Sequence, residues 1–239
     1  MLLFYRILIN LVLILSPIII LFRLIKKKED PKRFFEKFGF PSKKRLSGKV
    51  IWFHGSSVGE ILSIMPLIEK LEKNKKVKQI LITSSTLSSS KVLEKYKFNK
   101  TIHQFFPIDS NIIVNKFLNY WKPSVVFFIE SEIWPNVIHN LYKRKIKIAL
   151  INARITNKTF KKWFKLLNFS KNIFSKFDLS LSQNKETIVY LRKLGTQNIK
   201  NLGNLKFSVT KKIKIKNKIK NFNLLSNKRI LFGAISTHY

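Results

Sequence analysis

From Val50 to Ser182 the chain alternates short runs rich in β-branched and aromatic residues with stretches of helical periodicity. Nothing else in the sequence restricts the fold as much. The runs lie near 50–54, 78–83, 101–106, 124–129, 146–151 and 178–182, and the helical patterns near 58–73, 87–97, 110–120, 133–143, 159–176 and 184–194. Strands separated by helices of this length join through right-handed crossovers into a parallel sheet covered on both faces. Val125 to Ile129 and Ile148 to Ile151 are unbroken apolar runs, as strands buried on both faces require. The expected class is therefore α/β, with a Rossmann-like parallel sheet over residues 49–208.

The segments flanking this unit have a different texture. Ile7 to Phe22 is almost wholly apolar, between Arg6 and the cluster Arg23, Lys26, Lys27, Lys28. As a helix it reaches ~24 Å, short of a ~30 Å hydrocarbon core unless Leu2 to Tyr5 join it and Arg6 snorkels. The basic cluster comes after the apolar run and no small-x-small cleavage site precedes it, so an anchor over residues 1–28 is preferred to a cleaved signal peptide. The heavier positive flank keeps the chain beyond Lys26 in the cytoplasm. Pro17 either kinks the segment or lets it lie in the membrane interface. Residues 29–48 form a basic connector whose Phe34, Phe35 and Phe38 either grip acidic headgroups or pack as a short helix on the domain. After Phe207 the pattern changes. Residues 209–239 read as a linker, Lys211 to Asn221 being rich in Lys, Ile and Asn, and then one strand from Arg229 to Ala234.

A formal charge of +35 directs attention to anionic partners. Only 8 of the 47 basic residues are Arg, however, and Lys, Asn and Ile are abundant throughout. Compositional drift in an AT-rich genome produces the same excess. Cys is absent, which excludes disulfides and thiol catalysis. His54, His103, His139 and His238 are scattered, with no acid at metal spacing, so no metal site is expected.

The most informative junction is Val50 to Glu60, where an apolar run ends in a small-residue turn and a helical pattern opens with a carboxylate. In open α/β sheets ligands bind at that edge. Ser57-Val58-Gly59-Glu60 fits a capping box, so Glu60 is either a cap or a catalytic base. The helix dipole favours its anion by about 0.3–1 kcal/mol, making it a weaker base, and desolvation by a bound lipid works the other way. Gly55, Ser56 and Ser57 bring backbone N–H groups to a helix N-terminus, a natural seat for a phosphate or carboxylate. The turn from Thr83 to Ser90 offers a second such seat without a glycine. Glu130 and Glu132 end another buried strand just before Trp134 and Pro135, where either could pair with Arg154. Farther on, Phe160, Trp163, Phe164, Leu167, Phe174 and Phe177 recur at mostly three- and four-residue spacing between lysines. That pattern suits either a membrane-surface helix or core packing.

His54-Gly55-Ser56-Ser57-Val58-Gly59-Glu60 resembles the H-x-x-S-V-G-E signature of the Kdo (3-deoxy-D-manno-octulosonic acid) transferases. Glu130 to Asn136 (E-S-E-I-W-P-N), Asn152-Ala153-Arg154, Gly203 to Phe207 (G-N-L-K-F) and Ser236-Thr237-His238 come in the family's order, and Phe34 to Gly39 is similar to its E-R-F-G segment with Lys37 in place of Arg. The resemblance implies inverting transfer of Kdo from CMP-Kdo to a lipid A precursor at the cytoplasmic face of the inner membrane, without a cofactor. It assigns Glu60 as catalytic base and Glu130 to transition-state stabilisation. Lys206 matches a Lys suited to offset charge on the departing CMP, although Ser208 replaces the Asp found there in the family. Gly55, Ser56, Ser57, Gly59 and Arg154 make up the expected substrate-binding set. The family's architecture is two-domain GT-B, and the chain matches the acceptor half plus the threshold of the donor half, so little activity is expected of it alone. That reading takes no nucleic acid as partner. Its rivals are a membrane-tethered polyanion binder, whose affinity would fall steeply with salt and ignore Glu60, and an inactive truncated remnant.

Overall fold

The computed structural model describes residues 1–205. Lys206, the 209–239 segment and the Ser236-Thr237-His238 match lie outside them. A helix, α1, runs from Leu2 to Ile25, and a 3-10 turn from Phe34 to Phe38. The alternating unit comes next: β1 (Val50–His54), α2 (Val58–Glu72), β2 (Gln79–Ser84), α3 (Leu87–Glu94), β3 (Thr101–Phe105), α4 (Asn111–Trp121), β4 (Val125–Ile129) and α5 (Pro135–Lys143). It continues with β5 (Lys147–Ala153), α6 (Asn157–Phe164), α7 (Leu167–Phe174), β6 (Leu179–Ser182), α8 (Lys185–Leu194) and β7 (Ile199–Asn201). The six expected strands are present, and β7 is a short addition at the edge.

All seven strands are parallel, in the order β3-β2-β1-β4-β5-β6-β7. This is the Rossmann-like order, with its reversal between β1 and β4. Alternation along β1 and β4 separates two cores. Trp52, Val126 and Phe128 face α4, α5, α7 and α8, packing with Phe117, Trp121, Leu141 and Phe174. Phe53 and Ile129 face α2 and α3, packing with Ile61, Ile64, Ile68 and Leu93. The rings of Phe53 and Phe127 stack between neighbouring strands at 4.8 Å.

Helix starts are set by polar punctuation. Ser57, Thr86, Thr156 and Asn184 each accept a backbone N–H three residues on, satisfying donors that a helix leaves open. Pro135 opens α5, and the buried Asp109 accepts from the backbone N–H groups of Asn136 and Val137 at 3.0 and 2.9 Å.

One expected helix, 159–176, divides into α6 and α7 at Lys165–Leu166. Both halves pack on α8, and α7 reaches α5 as well. Phe160 stacks on Tyr190 of α8 at 4.4 Å, whereas Phe169, Ile173 and Phe174 are buried in the main core. Ser170 Oγ donates to Trp163 O at 2.6 Å and to Leu166 O at 3.0 Å, closing the corner. Of the two readings of this apolar stripe, core packing describes most of it.

The basic connector is pinned rather than loose. Glu36 is fully buried, pairs with Arg33 at 2.7 Å and accepts the Phe105 N–H at 2.6 Å. Gly39 closes the 3-10 turn at φ +78°, and a Cβ there would lie 2.9 Å from Ile113 O. Glu36→Ala leaves the strand N–H of Phe105 without its acceptor and takes from the Arg33 guanidinium its carboxylate, with Ser90 Oγ and His103 O remaining. It is expected to cost about 3–5 kcal/mol in urea unfolding of the detergent-solubilised chain, against less than about 0.5 kcal/mol for the exposed Lys32→Ala.

Candidate functional site

Because β1 and β4 adjoin while the helices that come after them cover opposite faces, their carboxyl ends form the topological switch point at which open α/β sheets bind ligands. Four of the matched motifs end at this edge: His54–Glu60 after β1, Glu130–Asn136 after β4, Asn152–Arg154 at β5, and the segment that begins at Gly203 after β7.

His54, the last residue of β1, is fully buried and lies flat on Phe106 with ring centres 3.7 Å apart. Its Nδ1 is 3.0 Å from the Thr83 hydroxyl and its Nε2 is 3.1 Å from Glu132 Oε2. Trp134 Nε1 donates to the same carboxylate oxygen at 2.9 Å. Burial pushes the Glu132 carboxyl up, but His54 and Trp134 outweigh it and hold it below the usual carboxylate range.

Glu60 sits in the first turn of α2. Ser57 Oγ donates to its Oε1 at 2.8 Å, the Ser56 N–H donates to its Oε2 at 2.8 Å, and its own N–H reaches Ser57 Oγ at 3.3 Å. This is a variant of the capping box in which the carboxylate takes the Ser56 N–H and the Ser57 hydroxyl in place of the N-cap residue's own N–H. Desolvation nevertheless lifts the Glu60 carboxyl to about 7; the Ser57 and Ser56 hydrogen bonds pull it down, and the negative charges of Glu132 and Glu130 push it up. The weakening of the base expected from the helix terminus is overridden by burial and by two neighbouring acids. A carboxylate near neutrality is suited to accept and return a proton.

Gly55 permits this packing. A Cβ there would stand 2.9 Å from Ile129 Cδ1 and 3.1 Å from Glu60 Cβ. The anion seat expected from Gly55, Ser56 and Ser57 is largely taken by the protein itself, since Gly55 N donates to Thr83 O and Ser56 N to Glu60. The Ser/Thr-rich turn after β2 is joined to this one by Ser56 Oγ donating to Ser85 Oγ at 2.9 Å. Gly59 is exposed in the first turn of α2.

Glu130 ends β4 with a left-handed backbone, φ +57°, a conformation uncommon for a non-glycine residue and costing of order 1–3 kcal/mol. Its N–H is held by Ile151 O at 3.0 Å, and its carbonyl accepts from Arg154 N at 3.4 Å. The Arg154 side chain is exposed. Asn152, also left-handed at φ +52°, accepts the Leu205 N–H on Oδ1 at 3.0 Å. That bond holds Leu205 beside the Asn152-Ala153-Arg154 match. Glu60, Glu130 and the glycine-serine turn are thus brought together, while Lys206 lies outside the described residues. Sequence reasoning left His54 and Trp134 out of the site and named Glu132 without a role. Their positions within the matched motifs were the available signal. Among the described residues no group of three or more His, Asp or Glu converges to hold a metal ion.

A family profile described as 3-deoxy-D-manno-octulosonic-acid transferase (kdotransferase) matches residues 32–209. The 3-deoxy-D-manno-octulosonic acid transferase of Rickettsia bellii is 35% identical over 222 residues, covering 92% of this chain and 53% of that protein. Its namesake in Haemophilus influenzae is 25% identical, covering 96% and 55%. The chain therefore spans about half the length of the curated relatives it matches. Among solved structures, an S. aureus MnaA–UDP co-structure aligns with a TM-score of 0.50 at 14% identity, over 73% of this chain and 50% of that one, a likeness of fold alone. On the match from residue 32 to 209, the chain belongs to the 3-deoxy-D-manno-octulosonic-acid (Kdo) transferase family.

Proposed function

We propose that this chain is the acceptor-binding, base-bearing half of a glycosyltransferase that moves Kdo from CMP-Kdo to a lipid A precursor, lipid IVA, at the cytoplasmic face of the inner membrane. The observation that carries the reading is a carboxyl group lifted to about 7 at the strand-order reversal, on the acid of the family's first motif. In the proposed step Glu60 takes the proton of an acceptor sugar hydroxyl as its oxygen attacks the anomeric carbon of Kdo. The bond from that carbon to the CMP phosphate oxygen breaks, and the electron pair leaves with CMP. One displacement inverts the centre, so a single base suffices.

In this reading Glu130 lies beside the developing positive charge of the sugar, and Lys206 offsets charge on the departing phosphate. Glu132, tied to His54 and Trp134, stays ionised and holds Glu60 basic by its field. Arg154, exposed at the end of β5, is available to a phosphate or carboxylate of either substrate. By the resemblance, the donor site lies largely in the part of the relatives that the match does not cover.

The direct test is a chimera completed with the remaining half of the Rickettsia bellii relative, assayed by radiolabelled Kdo transfer to lipid IVA. Glu60→Gln is expected to lower kcat by about 10²–10⁴ while leaving lipid IVA binding within about twofold; unchanged turnover would sink the assignment. The pH profile gives a second check. The basic form of Glu60 is the minor species below about 7 and the major one above. Transfer should therefore climb about tenfold per pH unit on the acid side and level off above neutrality. Glu132→Gln removes a charge that raises Glu60, so the climb should move to lower pH; a profile that stays in place argues against the coupling.

A further inference from the structure

Helix α1 bears 13 large apolar side chains that stand exposed between Leu3 and Ile25, among them Ile14 at 72% and Ile25 at 71%. Resting on the membrane association proposed above, we infer that α1 lies in the plane of one leaflet of an anionic phospholipid bilayer, without crossing it, and holds the carboxyl edge of the sheet at the membrane surface.

Five residues of the helix are polar, Tyr5, Arg6, Asn10, Ser16 and Arg23, and protein groups satisfy each. Tyr5 Oη donates to Asp109 at 2.7 Å, and Arg6 donates to Asn136 at 3.0 Å and to Asn111 at 3.3 Å. Asn10 accepts from Ser110 Oγ at 3.1 Å, Ser16 Oγ donates to Leu13 O, and Arg23 pairs with Glu29. Leu2 and Tyr5 pack on the main core, and Ser16 and Ile20 are buried. The sheltered positions recur every three or four residues along the whole helix, and the remaining surface is hydrocarbon.

Both ends of α1 meet the same edge of the domain. At the N-terminal end the partners are Asp109, Ser110 and Asn111, after β3, and Asn136, after β4. At the C-terminal end Arg23, Lys27 and Lys28 face Thr86, Ser88 and Lys91, after β2, across a cavity of about 390 Å³. Tyr5 and Arg23 are separated along the axis by ~27 Å, nearly the full ~30 Å of a hydrocarbon core. A crossing helix would touch the domain at one end only, or would drag Asp109 and Lys91 to opposite sides of the bilayer. Laid flat, the helix buries its apolar face among acyl chains, as interfacial helices do. Lys26, Lys27, Lys28 and Lys91 are exposed around its end, placed to meet acidic headgroups.

The native chain has no Cys, so single-cysteine labels report without background. Phe4→Cys, Ile14→Cys and Ile25→Cys all lie on the outward face. Each labelled chain is bound to phosphatidylglycerol/phosphatidylethanolamine vesicles, and quenching is compared for nitroxides placed near the headgroup and near the chain end. The expected result is one shallow profile at all three positions, with at least tenfold weaker binding to phosphatidylcholine vesicles. A label at 14 quenched chiefly by the deep nitroxide, between shallow labels at 4 and 25, would mean a crossing helix and overturn the inference while leaving membrane association intact. Absence of quenching at every position would overturn both, and indifference to anionic lipid would remove the headgroup contact.

Discussion

Parallel strands buried on both faces impose the constraint on which the rest of the structure depends. Trp52 and Phe53 point to opposite cores, so each crossover helix must choose a face, and α2 and α5 choose different ones. Between their N-termini the sheet edge cannot be roofed by either helix. The motifs gather there because side chains from the ends of β1 and β4 meet at that edge, as the Glu132 contact with His54 shows. Gly55 lets the stem of Glu60 sit close to the end of β1, and burial there lifts its carboxyl.

In a chain with 47 basic and 12 acidic residues, where the acids stand is more telling than the total charge. Glu29, Glu36 and Asp109 are buried, and each joins a segment to a neighbour: Glu29 takes Arg23 and Lys37, Glu36 takes Arg33 and a strand N–H, and Asp109 takes Tyr5 together with the start of α5. Glu72 receives the Lys100 N–H and the Thr101 hydroxyl, fastening the entry to β3. Glu60, Glu130 and Glu132 form a second group whose like charges act on one another at the switch point. The lysines are largely solvated; the acids organise both the scaffold and the site.

Much of this was legible before any coordinates. Short β-branched, aromatic and unbroken apolar runs located β1 to β6 within a few residues, because parallel strands buried on both faces admit little else. The corner between α6 and α7 was not legible: no Gly or Pro marks Lys165–Leu166, and the break is closed by the Ser170 hydroxyl on the carbonyls of Trp163 and Leu166. β7, three residues long, is too short to show a period. The His54–Glu132–Trp134 cluster joins residues up to 80 positions apart, a proximity no local pattern encodes. For Glu60 the local rule predicted the wrong direction. Desolvation, the largest effect, depends on tertiary packing, and it outweighs the lowering by the Ser57 and Ser56 hydrogen bonds.

The same two oxygens that would accept a proton from a sugar hydroxyl also fasten the opening turn of α2. A carboxylate that becomes a carboxylic acid loses acceptor strength, so every proton taken up loosens the clamp on Ser56 and Ser57. Basicity and local rigidity are therefore one quantity at this position. A substitution that makes Glu60 a keener base also leaves the turn more prone to fray during the interval when the proton is held.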